Sequence, residues 1–206
     1  MKFDKPCLFI LASGSPRRTE ILDKLGIRHM VMVSDVSEEH DEKTPDGVVR
    51  TLSQRKAYSV YEEFIKGSRE AYEGYKTLCV IGSDTIVWAE GHELGKPSDR
   101  EASRNMIKSI SGRSHEVWSG LTLIMHDTLT GDRTEICIAD VTKVNVRELT
   151  EKEIDEYVAT GEGDDKAGSY AIQGLFGKYI ESIEGDRDTV IGLPSARLLK
   201  ELEELL

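Results

Sequence analysis

The chain has 206 residues, a formal net charge of -11 at pH 7, 38% hydrophobic and 32% charged residues. That balance is too apolar for a disordered chain, holds no apolar run of membrane-spanning length, and argues against nucleic-acid polymers as partners, since their affinity rests on many basic groups neutralising phosphates. A single domain over residues 1–206 with a substantial core is expected.

The opening "MKFDKPCLFILASGS" superficially resembles a signal peptide, but Asp4 interrupts its basic region and the apolar run 7–12 is short, so a buried strand is expected instead. Cys7, Cys79 and Cys137 are far apart and embedded in apolar segments, with neither disulfide-framework nor zinc spacing. A reducing cytoplasm and no membrane partner follow as expectations.

A helix is expected over 16–25, with Ser15 as cap, Pro16 in the first turn and Gly26 as terminator. "MVMVSDV" reads as a second strand running into the acidic "SEEHDE", which places Glu38 at a strand end. The helix starting near Pro45 carries Val49, Leu52 and Lys56 on one stripe, so Lys56 faces inward and calls for an anion. "TLCVIGSDTIVWAE" reads as a strand with Asp84 at its end, followed by the turn-rich "GHELGKP".

"SDREASRNMIKSISG" reads as a helix with a capping box of Ser98 and Glu101, and "HEVWSGLTLIM" with "TEICIADVTKVNVREL" as a long antiparallel hairpin. "TEKEIDEYVATG" is a second boxed helix and "LPSARLLKELEELL" an amphipathic one. With no repeat or low-complexity linker, strands and helices mix in one α/β unit.

Several of these segments can carry chemistry. A strand, the Ser13-Gly-Ser15 turn and a helix start form an anion-binding arrangement, to which Arg17 and Arg18 add donors, although arginines there also suit plain solvation. "GHELGKP" lacks the spacing and the Ser or Thr of a nucleotide-binding P-loop, so Lys96 is either a loop lysine offered to phosphate or an ordinary surface residue. Asp84 among apolar neighbours needs a partner, a hydrogen bond or a metal, and with Glu38 it would suit Mg²⁺ or Mn²⁺. Gln173 in "DDKAGSYAIQG" offers both a donor and an acceptor, the combination that reads a base edge. The histidines show no metal-ligand spacing.

In order and approximate spacing, "LASGSPRR", "VIGSDTIV", "LGKP", "SGRSHEVWSG", "DKAGSYAIQG" and "TVIGLP" resemble the Maf family of nucleoside triphosphate pyrophosphatases along nearly the whole chain. The resemblance implies an α/β fold with a central mixed sheet flanked by helices and two lobes around a nucleotide cleft, similar to inosine triphosphate pyrophosphatases. It also implies metal-dependent hydrolysis of a nucleoside triphosphate to the monophosphate and pyrophosphate.

Motif by motif, it places Asp84 as the catalytic proton acceptor and Glu38 with Asp84 as ligands of a divalent cation. Arg17 and Arg18 fall on the family's phosphate-binding arginines, Lys96 on the lysine of its "KP" loop and Lys56 on its helix lysine; with Ser13, Ser15 and Lys166 these form the expected phosphate-binding set. Arg17, Thr85 and Gln173 resemble the branch preferring dTTP and UTP over 7-methyl-GTP. A nucleotide-binding regulator of septum formation is the competing reading. Oligomeric state stays open, a homodimer being one option. "YEEFIKGSREAYEGYK" adds about ten residues between Lys56 and Asp84, expected as a lengthened helix and loop.

Overall fold

Three long strands organise the chain in the computed structural model, which describes residues 7–67 and 72–205. In chain order the elements are β1 (Cys7–Leu11), α1 (Pro16–Lys24), β2 (His29–Val31), α2 (Pro45–Lys66), β3 (Thr77–Ala89), β4 (His92–Leu94), α3 (Arg100–Ile110), β5 (Ser114–Asp127), β6 (Arg133–Val146), α4 (Glu151–Ala159), β7 (Ile180–Glu184), α5 (Arg187–Ile191) and α6 (Ser195–Leu205). The described residues form a seven-stranded mixed sheet of order β2-β1-β3-β5-β6-β7, with β4 pairing β3. β1 runs parallel to β2 and β3, while β3, β5, β6 and β7 pair antiparallel. The fold is therefore α/β with a central mixed sheet and flanking helices.

Successive side chains of a strand alternate between faces, and β3 uses this to pass from one core to another. On one face Cys79 and Ile81 belong to an apolar cluster with α1 and α6, and Val87 belongs to a second with α3 and α4. On the other face Leu78 and Val80 pack under α2, and Ile86 joins a small cluster with Val48, Val49 and Leu52. Between these apolar stretches stand Gly82, Ser83, Asp84 and Thr85. They form a polar waist in an otherwise buried strand.

The waist coincides with a gap in strand pairing. β1 pairs β3 only as far as Leu11 opposite Ile81, and β4 joins only from Val87, so residues 82–86 have no strand partner on that side. On the other side the ladder is continuous, with Asp84 opposite Gly120 and Thr85 opposite Ser119. A Cβ on Gly82 would stand 2.3 Å from the Ser53 carbonyl oxygen, so the glycine lets α2 lie directly on the sheet.

Several local expectations are corrected. Asp84 lies in the middle of a strand rather than at its end, because β3 continues for five residues to pair with β4. The second strand stops at Val31, leaving Glu38 in an irregular segment. Ser15 stands at the N-cap of α1 as expected but makes no side-chain capping bond, and its backbone N–H donates to Ser13 Oγ at 3.2 Å. α3 is capped by Asp99, which accepts from the Ala102 N–H at 2.8 Å, rather than by a Ser98 and Glu101 box. The box on α4 forms as expected from Thr150 and Glu153. Residues 68–71 of the extra segment lie outside the described residues, and α2 extends to Lys66 as expected.

Candidate active site

A cleft of about 370 Å³ opens at the gap between β1 and β4. Its wall includes Ser15, Arg17, Arg18, Glu38, Lys56, Asp84, Thr85, Lys96, Lys166 and Gln173, residues widely separated in sequence. Asp84, 6% exposed, points from the waist towards α2. Lys56 meets it because the sheet glycines bring α2 close: Lys56 Nζ donates to Asp84 Oδ1 at 2.5 Å and to Glu38 Oε1 at 2.8 Å. Lys56 is thus the inward-facing lysine expected from its stripe, and its anions are the two carboxylates. Its hydrogen bond holds the Glu38 carboxyl below the ordinary carboxylate range.

Arg18 is locked into the scaffold. Its Nε donates to the Gly192 carbonyl at 2.8 Å, Nη1 to Ser13 Oγ at 2.9 Å and Nη2 to Thr85 Oγ1 at 3.4 Å. Burial lowers its guanidinium pKa, opposed by the nearby Asp84 carboxylate. With three of the five guanidinium N–H groups engaged, two remain for a ligand. Ser13 itself is buried and off the cleft wall, so it holds Arg18 and the Ser15 amide rather than facing the cavity.

The other basic groups differ in freedom. Arg17 and Lys96 line the cleft and form no hydrogen bond or ion pair with the described residues in this structure, and Lys96 is exposed. Lys166 is half-buried, with Nζ donating to the Glu162 carbonyl at 2.7 Å and to Asp165 Oδ1 at 2.5 Å. Gln173 is exposed at the rim. The cleft therefore carries one fixed arginine, two lysines tied to carboxylates and two cations, Arg17 and Lys96, without a partner among the described residues, all around a buried acid, a suitable lining for a polyphosphate.

No cluster of three or more metal-suited side chains exists among the described residues. Glu38 and Asp84 are nonetheless hard oxygen donors converging on one cationic position, now held by the Lys56 ammonium. Mg²⁺ is commonly bound by one or two carboxylates completed by substrate phosphates and water, so this donor pair fits such an ion.

The profile described as Maf-like protein matches residues 8–205. The chain belongs to the Maf family. A relative from Agathobacter rectalis named dTTP/UTP pyrophosphatase is 41% identical over 198 residues, covering 95% of this chain and 96% of the relative. One of the same name from Desulforamulus reducens is 44% identical over 190 residues, covering 92% of each. A third, from Bacillus anthracis, is 39% identical and covers 95% of this chain and 94% of its own.

In this Maf chain, part of the site was not readable in advance. The Gly192 carbonyl, which accepts from both Arg18 Nε and Ser83 Oγ, lies in the motif "TVIGLP", yet a backbone acceptor leaves no mark in side-chain chemistry. Ser119, opposite Thr85, lies within "SGRSHEVWSG", and a polar residue in an apolar strand was the available signal. The described residues contain no helix long and apolar enough to cross a membrane.

Proposed function

We propose that this chain hydrolyses dTTP and UTP between the α- and β-phosphates, releasing the nucleoside monophosphate and pyrophosphate. The observation that carries the reading is Asp84, a buried carboxylate at the floor of a cleft whose rim bears Arg17, Arg18 and Lys96. The names of relatives about 40% identical over nearly the full chain support the nucleotide assignment.

The chemistry follows from the arrangement. Arg17, Lys96, Lys166 and the two free N–H groups of Arg18 hold the phosphates. Asp84 accepts a proton from a water whose oxygen forms a bond to the α-phosphorus. The bond from that phosphorus to the α–β bridging oxygen breaks, and the electron pair leaves with pyrophosphate. Cations already in place stabilise the charge growing on the leaving group without reorganisation. Lys56 holds the Asp84 carboxylate oriented through its hydrogen bond to Oδ1, which a general base requires. A Mg²⁺ or Mn²⁺ ion held by Glu38 and Asp84 would supply charge neutralisation at the phosphates. Gln173 at the rim can donate to a pyrimidine carbonyl.

Incubation of the purified chain with a panel of nucleoside triphosphates, with Mg²⁺, with Mn²⁺ and with EDTA, tests this reading. Turnover of dTTP and UTP above dATP, dGTP and 7-methyl-GTP, lost in EDTA, is expected. Tight nucleotide binding with no turnover under any metal condition would instead identify a nucleotide-responsive regulator.

A further inference from the structure

We propose that Ser119, which lies behind the cleft wall, fixes the polarity of the Thr85 hydroxyl, so that Thr85 offers the ligand an acceptor and never a donor. This rests on the pyrimidine-nucleotide reading above and names the atom that tells uracil and thymine from cytosine. A hydroxyl has one proton to donate, and its direction is normally free. Here it is not.

Ser119 is fully buried and its Oγ donates to the Thr189 carbonyl oxygen at 2.7 Å, a partner that can only accept. Its proton is thereby spent. The 2.7 Å contact between Ser119 Oγ and Thr85 Oγ1 must then be donated by Thr85. At the other end Arg18 Nη2, which can only donate, points at Thr85 Oγ1 at 3.4 Å. A pure donor at one end and a pure acceptor at the other set the whole chain running one way, from Arg18 through Thr85 and Ser119 to Thr189.

The backbone keeps the chain in register. Thr85 and Ser119 are direct partners across β3 and β5, and the Thr189 hydroxyl anchors α5 to Asp140 Oδ2 at 2.5 Å. Thr85 lines the cleft whereas Ser119 does not. Ser119 is therefore a positioning residue, and what Thr85 shows the cavity is a lone pair.

A lone pair at that place favours a ligand carrying N–H. Uracil and thymine carry a proton on ring N3; cytosine carries a lone pair there, which would face the Thr85 lone pair with no proton between them. The wild-type chain is thus expected to favour UTP over CTP in kcat/KM. In Ser119→Ala the Thr85 proton loses its acceptor and becomes free to turn to the cleft, so CTP is no longer penalised.

The test measures kcat/KM for UTP and CTP with Mg²⁺ in the full chain, in Ser119→Ala, in Thr85→Val and in the two combined, with thermal unfolding as the check on folding. The UTP-to-CTP ratio is expected to fall about fivefold or more in Ser119→Ala, the scale of one unsatisfied buried hydrogen bond. In a Thr85→Val background the Ser119 substitution is expected to change the ratio no further. A merely structural role for Ser119 would slow both nucleotides equally, and that result overturns the proposal.

Should Ser119→Ala fail to fold, Ser119→Cys keeps the volume with a weak donor and acceptor and reads the same ratio. A wild-type chain that hydrolyses UTP and CTP equally well also overturns the proposal while leaving the pyrophosphatase reading intact. If the wild type hydrolyses neither, that reading fails, and calorimetric binding of UMP against CMP to the same variants decides on Ser119.

Discussion

Gly120 and Val49 meet without room for a side chain: a Cβ on Gly120 would stand 2.0 Å from the Val49 carbonyl oxygen. The contact presses α2 onto the middle of β5, opposite Asp84, and this closeness brings Lys56 to the buried carboxylate.

Gly120→Ala should therefore push α2 outward and weaken the Lys56 contact with Asp84. Overpacking of this kind costs about 1–3 kcal/mol, or roughly 2–12 °C in unfolding temperature for a chain of this size. Activity should fall with it. A thermal melt and a UTP turnover assay on the same sample check both, and an unchanged melt would mean that α2 does not lie where the structure has it.

Asp84→Asn keeps the shape of the side chain but removes the proton-accepting charge. kcat is expected to drop by about 10²–10⁴, the usual contribution of a general base, while nucleotide binding survives through the cations of the rim. Steady-state kinetics and calorimetric titration separate the two. A variant with near-normal kcat would remove Asp84 from its assigned role.

The sequence disclosed the chemistry of the site better than its geometry. Lys56 could be placed inward because Val49 and Leu52 share its helical stripe, and both are buried. The hairpin of β5 and β6 and the box on α4 were equally legible from alternation and capping residues. Asp84 reads as the end of a strand because Gly82, Ser83 and Asp84 interrupt the apolar run of residues 78–81. Local pattern cannot reveal that β3 changes neighbours there and runs on into a second core. The Arg18 clamp depends on Gly192, far away in the chain, and long-range backbone acceptors have no local signature.

The buried histidine of the second core gives a pH dependence of stability. His115 is 3% exposed, its Nε2 lies 2.7 Å from the Tyr170 hydroxyl, and burial pulls its pKa down to about 4 from 6.5. Between these values the unfolded chain binds more protons than the folded one, so stability is full above pH 6.5 and declines as pH falls towards 4, by up to about 3 kcal/mol from this group. His115→Phe should lower stability at neutral pH by about 1–3 kcal/mol, since Tyr170 loses its partner, yet flatten the slope between pH 6.5 and 5. Urea unfolding across that range measures it; an equally steep slope in the variant would show that His115 is not the group responsible.

Gln173 is exposed at the rim, so Gln173→Ala should leave the melting temperature unchanged within the scatter of ordinary surface substitutions. Its effect belongs to specificity. The preference of kcat/KM for UTP over dGTP is expected to narrow by roughly 5- to 150-fold, mainly through slower UTP turnover. A uniform loss across all nucleotides would assign Gln173 to phosphate binding instead.

The products formed from UTP test the catalytic account most directly. Phosphorus NMR of the reaction in the presence of Mg²⁺ should show UMP and pyrophosphate appearing together in equal amounts, as attack of water at the α-phosphorus requires. Orthophosphate accompanied by UDP would place the attack at the γ-phosphorus and contradict the assignment of Asp84 and the surrounding cations.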